Sequence, residues 1–539
     1  MNNKPFHFLC NTYSTGDEIK KQSYPHSSSV FVATIKLHNG HIYCNSKPNS
    51  MYKLDTIPFN NRFSKLPSAL YSPVKPQGLV HPFLVSANPA VADLIGLDPQ
   101  SLITDSFVEY FSGNAILPNA YPLAMVYSGH QFGSYNPHLG DGRGLLLGEV
   151  DTTSKGTWDL HLKGAGQTPY SRFADGRAVL RSTIREYLCS EAMAGLGIAT
   201  TRGLCIIGSE TPVYRETPEM GATLVRVARS HVRFGSFEYF HYNNRPDIVK
   251  QLADYVITRN FPELQYSKTK YADFLLAVVT RTASLIAQWQ AVGFAHGVMN
   301  TDNMSIVGDT FDFGPFGFLD DYDPNFICNH SDHEGLYAFN QQPGIGLWNL
   351  NALAHALSSL IDGESITNAL SQYERILVDQ YNQIFRSKLG LQQEKDGDVE
   401  LVASLLLILE QQKADYTNFF RHLSHCHHDN PEFETMLRDR FVDRPSFDAW
   451  MLQYQQRLIA ENSDPVLRRQ TMLNANPKYI LRNYIAQQAI DKATKNQDYS
   501  EIDNLLTILQ NPFEEHPQFS QYASEPPDWG KRLEVSCSS

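Results

Sequence analysis

Near residue 245 this chain changes its hydrophobic period. From about residue 122 it is dense in glycine and short apolar runs. Residues 144–150 (GLLLGEV) and 158–163 (WDLHLK) predict strands, the second alternating polar and apolar as a two-faced strand does. The turn-rich stretch 151–156 joins them. Residues 178–196 predict a helix, because Leu180, Ile184 and Leu188 recur at i+4 and make one apolar stripe. Gly195 and Gly197 mark its end. Residues 200–207 and 222–228 predict two more strands. Downstream the pattern is helical: 271–292 is long and strongly apolar, followed by 348–361, 365–388, 399–416, 431–462 and a tail from 465 to 509. Residues 511–527 are loop-like. Between the two textures, 293–343 is rich in Gly, Asp, Asn and aromatics and reads as functional loops with short strands. The expected class is α+β, with a β-rich half, a larger helical half and a loop-rich seam.

Composition narrows the function. Of 539 residues, 42% are hydrophobic and 19% charged, which suits a chain that buries a real core. The formal net charge of -12 argues against a nucleic-acid coat or a polybasic membrane binder. The longest apolar run, 401–409, is far short of the ~20 residues that cross a bilayer. Seven cysteines, odd in number and without zinc-finger spacing, exclude a disulfide-built scaffold. Residues 1–50 differ from the rest, with no arginine and no secretory h-region. They read either as a disordered extension or as sequence upstream of a true start at Met51.

Three constellations carry chemistry. The first is His138-Leu139-Gly140-Asp141-Gly142-Arg143-Gly144, directly before a strand. Its alternating glycines let the backbone approach a ligand closely, and Arg143 can pair with a phosphate; a plain Gly-rich turn is the other reading. The second is Lys163 at a strand end, nineteen residues after Gly144, with Glu186 on the following helix and off its apolar stripe. Kinase folds position nucleotide phosphates with such a pair. The third is His296-Gly297-Val298-Met299-Asn300-Thr301-Asp302-Asn303, with Asp312-Phe313-Gly314 beginning nine residues later. Asn303 and Asp312 suit the two oxygen ligands of a phosphate-bound magnesium ion. Asp175-Gly176-Arg177, Arg226, Arg229 and Arg233 add groups that suit a polyphosphate.

One departure matters. On the kinase pattern H-R-D-x-x-x-x-N, His296 and Asn303 match, but the catalytic Asp position is Val298, which accepts no proton. Asp302 stands beside Asn303 instead. The residues read as a kinase-like nucleotide site with rearranged chemistry.

The stretches 127–150, 159–198, 224–238, 294–320, 323–332 and 476–491, with the ending CSS, closely resemble the selenoprotein O / YdiU family, over roughly residues 55–539. The resemblance implies a protein-kinase-like two-lobed fold: an N-lobe over 51–240, a C-lobe over 241–430 and a helical C-terminal extension over 431–539. It implies a pseudokinase that transfers AMP from ATP to Ser, Thr or Tyr hydroxyls of proteins, releasing pyrophosphate, with the nucleotide flipped relative to kinases. Asp302 is then the general base, and Asn303 and Asp312 hold Mg²⁺ or Mn²⁺. Lys163, supported by Glu186, binds the phosphates with Gly140, Gly142 and Arg143; Asp175, Gly176, Arg226 and Arg233 complete the nucleotide pocket.

Animal members carry selenocysteine third from the carboxyl end, where this chain has Cys537. That implies a reversible redox bridge from Cys537 to Cys328, beside the D-F-G region; two unrelated thiols are the alternative. Cys189 and Cys205 are expected to be core packing residues. Competing readings are uridylyl transfer from UTP with Mn²⁺, an atypical kinase, and a nucleotide-sensing pseudokinase scaffold. Redox proteins are the substrates the family suggests. A monomer in the bacterial cytoplasm is expected, with mitochondria the location in a eukaryote, and no nucleic-acid or membrane partner.

Overall fold

A computed structural model of the protein describes residues 34–38, 41–45, 51–152, 154–426 and 431–535. Within the first fifty residues it describes one antiparallel pair, Thr34–His38 with His41–Asn45; the rest of that segment, and Cys537, lie outside the described residues.

The β-rich half is built on one antiparallel sheet. Its strands run Tyr71–Pro73, Leu123–Met125, Gly144–Thr152, Gly156–Lys163, Pro218–Ala228, Arg202–Tyr214 and Phe83–Ala87, and the short Ala178–Val179 also pairs with Pro218–Ala228. The alternation of WDLHLK sorts its residues by face. Leu160 and Leu162 are buried among Leu145, Leu147, Val225 and Val227, against the helices Pro89–Leu94 and Asp105–Phe111. Each such leucine contributes roughly 1.5–3 kcal/mol by leaving water. His161 and Lys163 face the opposite side.

That side receives the helix Leu180–Gly195. Its stripe of Leu180, Ile184 and Leu188 packs on the sheet as expected, but burial extends all round: Arg185, Glu186, Ser190 and Glu191 are also buried. The cause lies nearly three hundred residues downstream. Helices Asn483–Asn496 and Ser500–Gln510 share one core with it, through Ile485, Ala489, Leu505 and Leu509. The approach is close enough that a Cβ at Gly195 would strike the Leu509 carbonyl. Polar clasps secure it: Gln510 Nε2 donates to Glu191 Oε2 at 2.9 Å, and Ser86 Oγ to Asp503 Oδ1 at 2.8 Å.

The helical half is centred on Lys270–Val292, apolar enough to be buried along most of its length and stopped by Gly293 at φ 76°. Two stretches expected as single helices are each two. Residues 365–388 divide into Gly363–Leu370 and Tyr373–Lys388, and 431–462 into Pro431–Arg438 and Arg444–Glu461, where Asp443 and Pro445 start the second. The helix expected over 399–416 is Asp398–Gln412; Lys413 turns left-handed at φ 48° and ends it, and Asp415 caps a further helix, Tyr416–Leu423. Hydrophobic periodicity runs through such breaks because both segments face one core. The helices Pro89–Leu94, Asp105–Phe111, Phe234–Tyr242, Pro246–Asn260 and Tyr416–Leu423 went unread. Among the described residues, no helix is long and apolar enough to cross a membrane.

The backbone contact at Gly195 gives a test. Gly195→Ala should destabilise the protein by about 1–3 kcal/mol through overpacking, read as a lower urea midpoint. Gly363→Ala, where a methyl meets open space, should not lower it.

Candidate active site

Two strands and a helix deliver the first charged groups. Lys163 pairs in register with Gly144 on one side and Leu224 on the other, and Arg226 lies opposite His161. Partners across a ladder share a face, so Lys163, His161 and Arg226 point together toward the helix. Glu186 meets them there. Its Oε2 accepts from Lys163 Nζ and its Oε1 from Arg226 Nε. All three side chains are buried. Burial alone would raise the Glu186 pKa, but Arg226 and Lys163 hold it below its ordinary value. Burial brings Lys163 down to about 8, against the pull of Glu186.

The seam supplies the second set. Phe294–Ala295 pairs with Gly317–Phe318 and closes a loop that carries both remaining motifs. His296 is buried and its Nε2 contacts the Phe311 carbonyl at 3.0 Å, tying one motif to the other. Thr301–Asn303 forms one 3-10 turn. Asn303 donates its amide nitrogen to the Val298 carbonyl at 3.1 Å, which turns the amide oxygen outward. Asp312 sits at φ 58°, a region Asp tolerates better than most residues. Its carboxylate oxygens receive Arg226 Nη2 and Arg233 Nη1, each at 2.7 Å. These guanidinium groups overcome burial and hold Asp312 far below the usual carboxylate range. Arg233 also donates to the Asp302 carbonyl at 2.7 Å and stacks over the Tyr127 and Phe311 rings.

Asp302 is buried. Its Oδ2 accepts from Gln131 Nε2 at 3.4 Å, while Oδ1 has no hydrogen-bond partner among the described residues. Burial raises its pKa, with Arg233 opposing and Asp312 adding, to about 7.

The glycine loop faces these groups. Gly140 has φ 114°, and a Cβ there would lie 2.6 Å from the Tyr170 ring. Thr168 Oγ1 donates to the Asp141 carbonyl at 2.7 Å and Ser171 Oγ to that of Gly142, so the loop is held from behind. Arg143 is exposed and, among the described residues, makes no ion pair.

Gly140, Gly142, Arg143, Lys163, Asp175, Gly176, Arg226, Arg233, Asp302, Asn303 and Asp312 all line one cleft of about 520 Å³, with Glu186 behind it. Not every expected group is available there. The Asp175 carboxylate is engaged by Arg215, at 2.8 and 3.1 Å, and by the Arg177 N–H at 2.9 Å. A ligand would therefore meet the Gly176 backbone more readily than the Asp175 side chain. Arg229 is not in the cleft lining; it pairs with Asp309. Arg177, at the rim, donates to the carbonyls of Gln77 and Gly78. Arg215 and Gln131 line the cleft and escaped sequence reading. Gln131 lies within the 127–150 stretch but outside its glycine loop, Arg215 lies in none of the stretches singled out, and the partners they reach make them notable.

Asn303 and Asp312 bring an amide oxygen and a carboxylate to the cleft, but Arg226 and Arg233 already hold both Asp312 oxygens, so a hard divalent cation would have to share or displace one of them. Among the described residues no three His, Cys, Asp or Glu side chains are placed to hold a metal alone. A carboxylate and an amide oxygen are what magnesium shared with phosphates requires.

Cys189 and Cys205 are fully buried, with thiol pKa values raised by burial. Cys328 packs under the loop, its thiol facing the Ala295 carbonyl at 3.5 Å. Val535 lies near this point: His330 N donates to its carbonyl at 2.8 Å.

A family model described as protein adenylyltransferase SelO matches residues 53–510. The chain belongs to the SelO family. It is 53% identical over 485 residues to the protein nucleotidyltransferase YdiU of Aliivibrio salmonicida, covering 90% of this chain and 99% of that one. Identity to the protein of the same name in Myxococcus xanthus is 53% over 489 residues, covering 91% and 100%. For Vibrio cholerae it is 52% over 491 residues, covering 90% and 99%.

The site separates stability from binding. Glu186→Ala strands two buried cations and should cost about 3–5 kcal/mol in urea unfolding. Arg143→Ala removes an exposed side chain that makes no ion pair among the described residues and should change stability by less than about 0.5 kcal/mol, while weakening nucleotide binding in calorimetry.

Proposed function

We propose that this protein transfers AMP from ATP to Ser, Thr or Tyr hydroxyls of protein substrates and releases pyrophosphate. As a SelO-family member it is a protein nucleotidyltransferase; the nucleotide, the roles of individual residues and the mechanism are our reading. Asp302 carries it. This carboxylate lines the cleft with Asn303 and Asp312, whereas the kinase base position holds Val298.

In this reading the acceptor hydroxyl gives its proton to the Asp302 carboxylate as its oxygen attacks the α-phosphorus, and the bond to pyrophosphate breaks. Arg143, Lys163 and Arg226 balance charge on the phosphates, and the Gly140–Gly142 and Gly176 backbones admit them closely. Arg233 keeps the Asp302 backbone and the Asp312 carboxylate in register. When bound by Asn303 and Asp312, Mg²⁺ or Mn²⁺ would neutralise phosphate charge. The kinase-like two-lobed architecture, with boundaries near 240 and 430, and the flipped nucleotide belong to this proposal. So do a monomeric state, a cytoplasmic setting and redox-related substrates.

ATP labelled separately at the α and γ positions, with Mg²⁺ or Mn²⁺ and a cell lysate, tests it. Protein-bound α-label without γ-label is expected, lost in Asp312→Ala. Asp302→Ala should lower transfer by about 10²–10⁴-fold yet still bind ATP. Bound γ-label would mean a kinase. Labelling from UTP alone would move the reading to uridylyl transfer, and tight binding without labelling to a sensing scaffold.

The return of Val535 to His330 supports pairing of Cys328 with Cys537. Non-reducing peptide mapping after oxidation should recover the two cysteines in one cross-linked peptide. Two free thiols would refute the bridge.

A further inference from the structure

The hairpin Gly129–Gln131 and Ser134–Asn136 belongs by sequence to the β-rich half yet lies against the loop of Asp302. Its seat is close. His130 N donates to Thr301 Oγ1 at 2.7 Å, Phe132 N to the Tyr337 hydroxyl at 2.9 Å, and a Cβ at Gly129 would lie 2.8 Å from Asp302 Oδ1. Inside the hairpin three polar groups are joined in series. His138 N, at the start of the glycine loop, donates to Asn136 Oδ1 at 3.0 Å. Asn136 Nδ2 donates to Gln131 Oε1 at 3.2 Å. Gln131 Nε2 donates to Asp302 Oδ2 at 3.4 Å.

We propose that Asn136 and Gln131 form a positioning relay that couples the phosphate-facing glycine loop to the orientation of Asp302. The inference rests on the reading of Asp302 as the base. The logic is one of donors and acceptors. An amide can turn either end toward a carboxylate, and only its NH₂ end is attractive. Asn136 has its own oxygen occupied by His138 N, so it presents its NH₂ to Gln131. That claims the Gln131 oxygen and leaves the Gln131 NH₂ for Asp302. The result holds Asp302 by Oδ2, which keeps a second lone pair for the acceptor hydroxyl, while Oδ1 is shut behind Gly129. A phosphate that draws the glycine loop inward would tighten the series, so the base is aimed when nucleotide is bound.

Two near-isosteric variants of the full chain each remove one bond. Gln131→Glu keeps an acceptor for Asn136 but loses the donor to Asp302. Asn136→Asp keeps the acceptor for His138 N but loses the donor to Gln131. Each should lower kcat for α-label transfer about tenfold, with the ATP dissociation constant and melting temperature within twofold and about 2 °C of the parent. The double variant should also lose about tenfold, because one series is broken once or twice with the same result. Single variants with kcat within twofold of the parent would overturn the relay. So would a hundredfold loss in the double variant, or a loss of ATP affinity as large as that of kcat. Asp302→Ala, run alongside, separates the two claims. If it stays active, the base assignment falls; if it is inactive while the relay variants keep full kcat, the relay alone falls.

Discussion

One carboxylate, that of Glu186, holds two cations from two strands out of water. Its oxygens are divided between Lys163 and Arg226, and Arg226 passes the connection on to Asp312. Helix, sheet and metal-loop residue are thereby joined through one buried ionic chain. Removing charges from water costs several kcal/mol each, so such a chain is stable only when every member is satisfied. The geometry of the cleft follows, since Lys163 and Arg226 cannot move without stranding Glu186.

The balance of charge around the cleft also has a direction. Arg143, Lys163, Arg226 and Arg233 face Glu186, Asp312 and a carboxylate, Asp302, that burial pushes toward neutrality. Cations are in excess although the chain carries a net charge of -12. A low-dielectric pocket with surplus positive charge favours a polyanion over the surrounding acidic surface.

What steadies the Glu186 helix comes from the far end of the chain. Helices Asn483–Asn496 and Ser500–Gln510 cover the face that the sheet leaves open, with Gly195 allowing backbone contact and Gln510 reaching Glu191. A helix packed on both sides has little room to swing, so the Lys163–Glu186 pair is built in by the fold. The series from His138 through Asn136 and Gln131 does for Asp302 what this backing does for Glu186: both orient a charged group through parts of the chain distant in sequence.

Local chemistry determined much of this in advance. The alternation of WDLHLK put Lys163 and His161 on one face, the i+4 leucines placed Glu186 off the packing stripe, and loop spacing set Asn303 and Asp312 together with Val298 where a kinase has its base. Each is a short-range consequence of backbone period and turn preference, and so is readable without a fold. The residue types alone also determined that the chain could bury a large core. Only the tertiary structure decided which charges meet. It gave Asp175 to Arg215, sent Arg229 to Asp309, buried the Glu186 helix all round, broke two long helical stretches into four helices and brought Gln131 to Asp302. Those outcomes depend on contacts between segments tens to hundreds of residues apart, and a partner at that distance leaves no periodic trace in either segment.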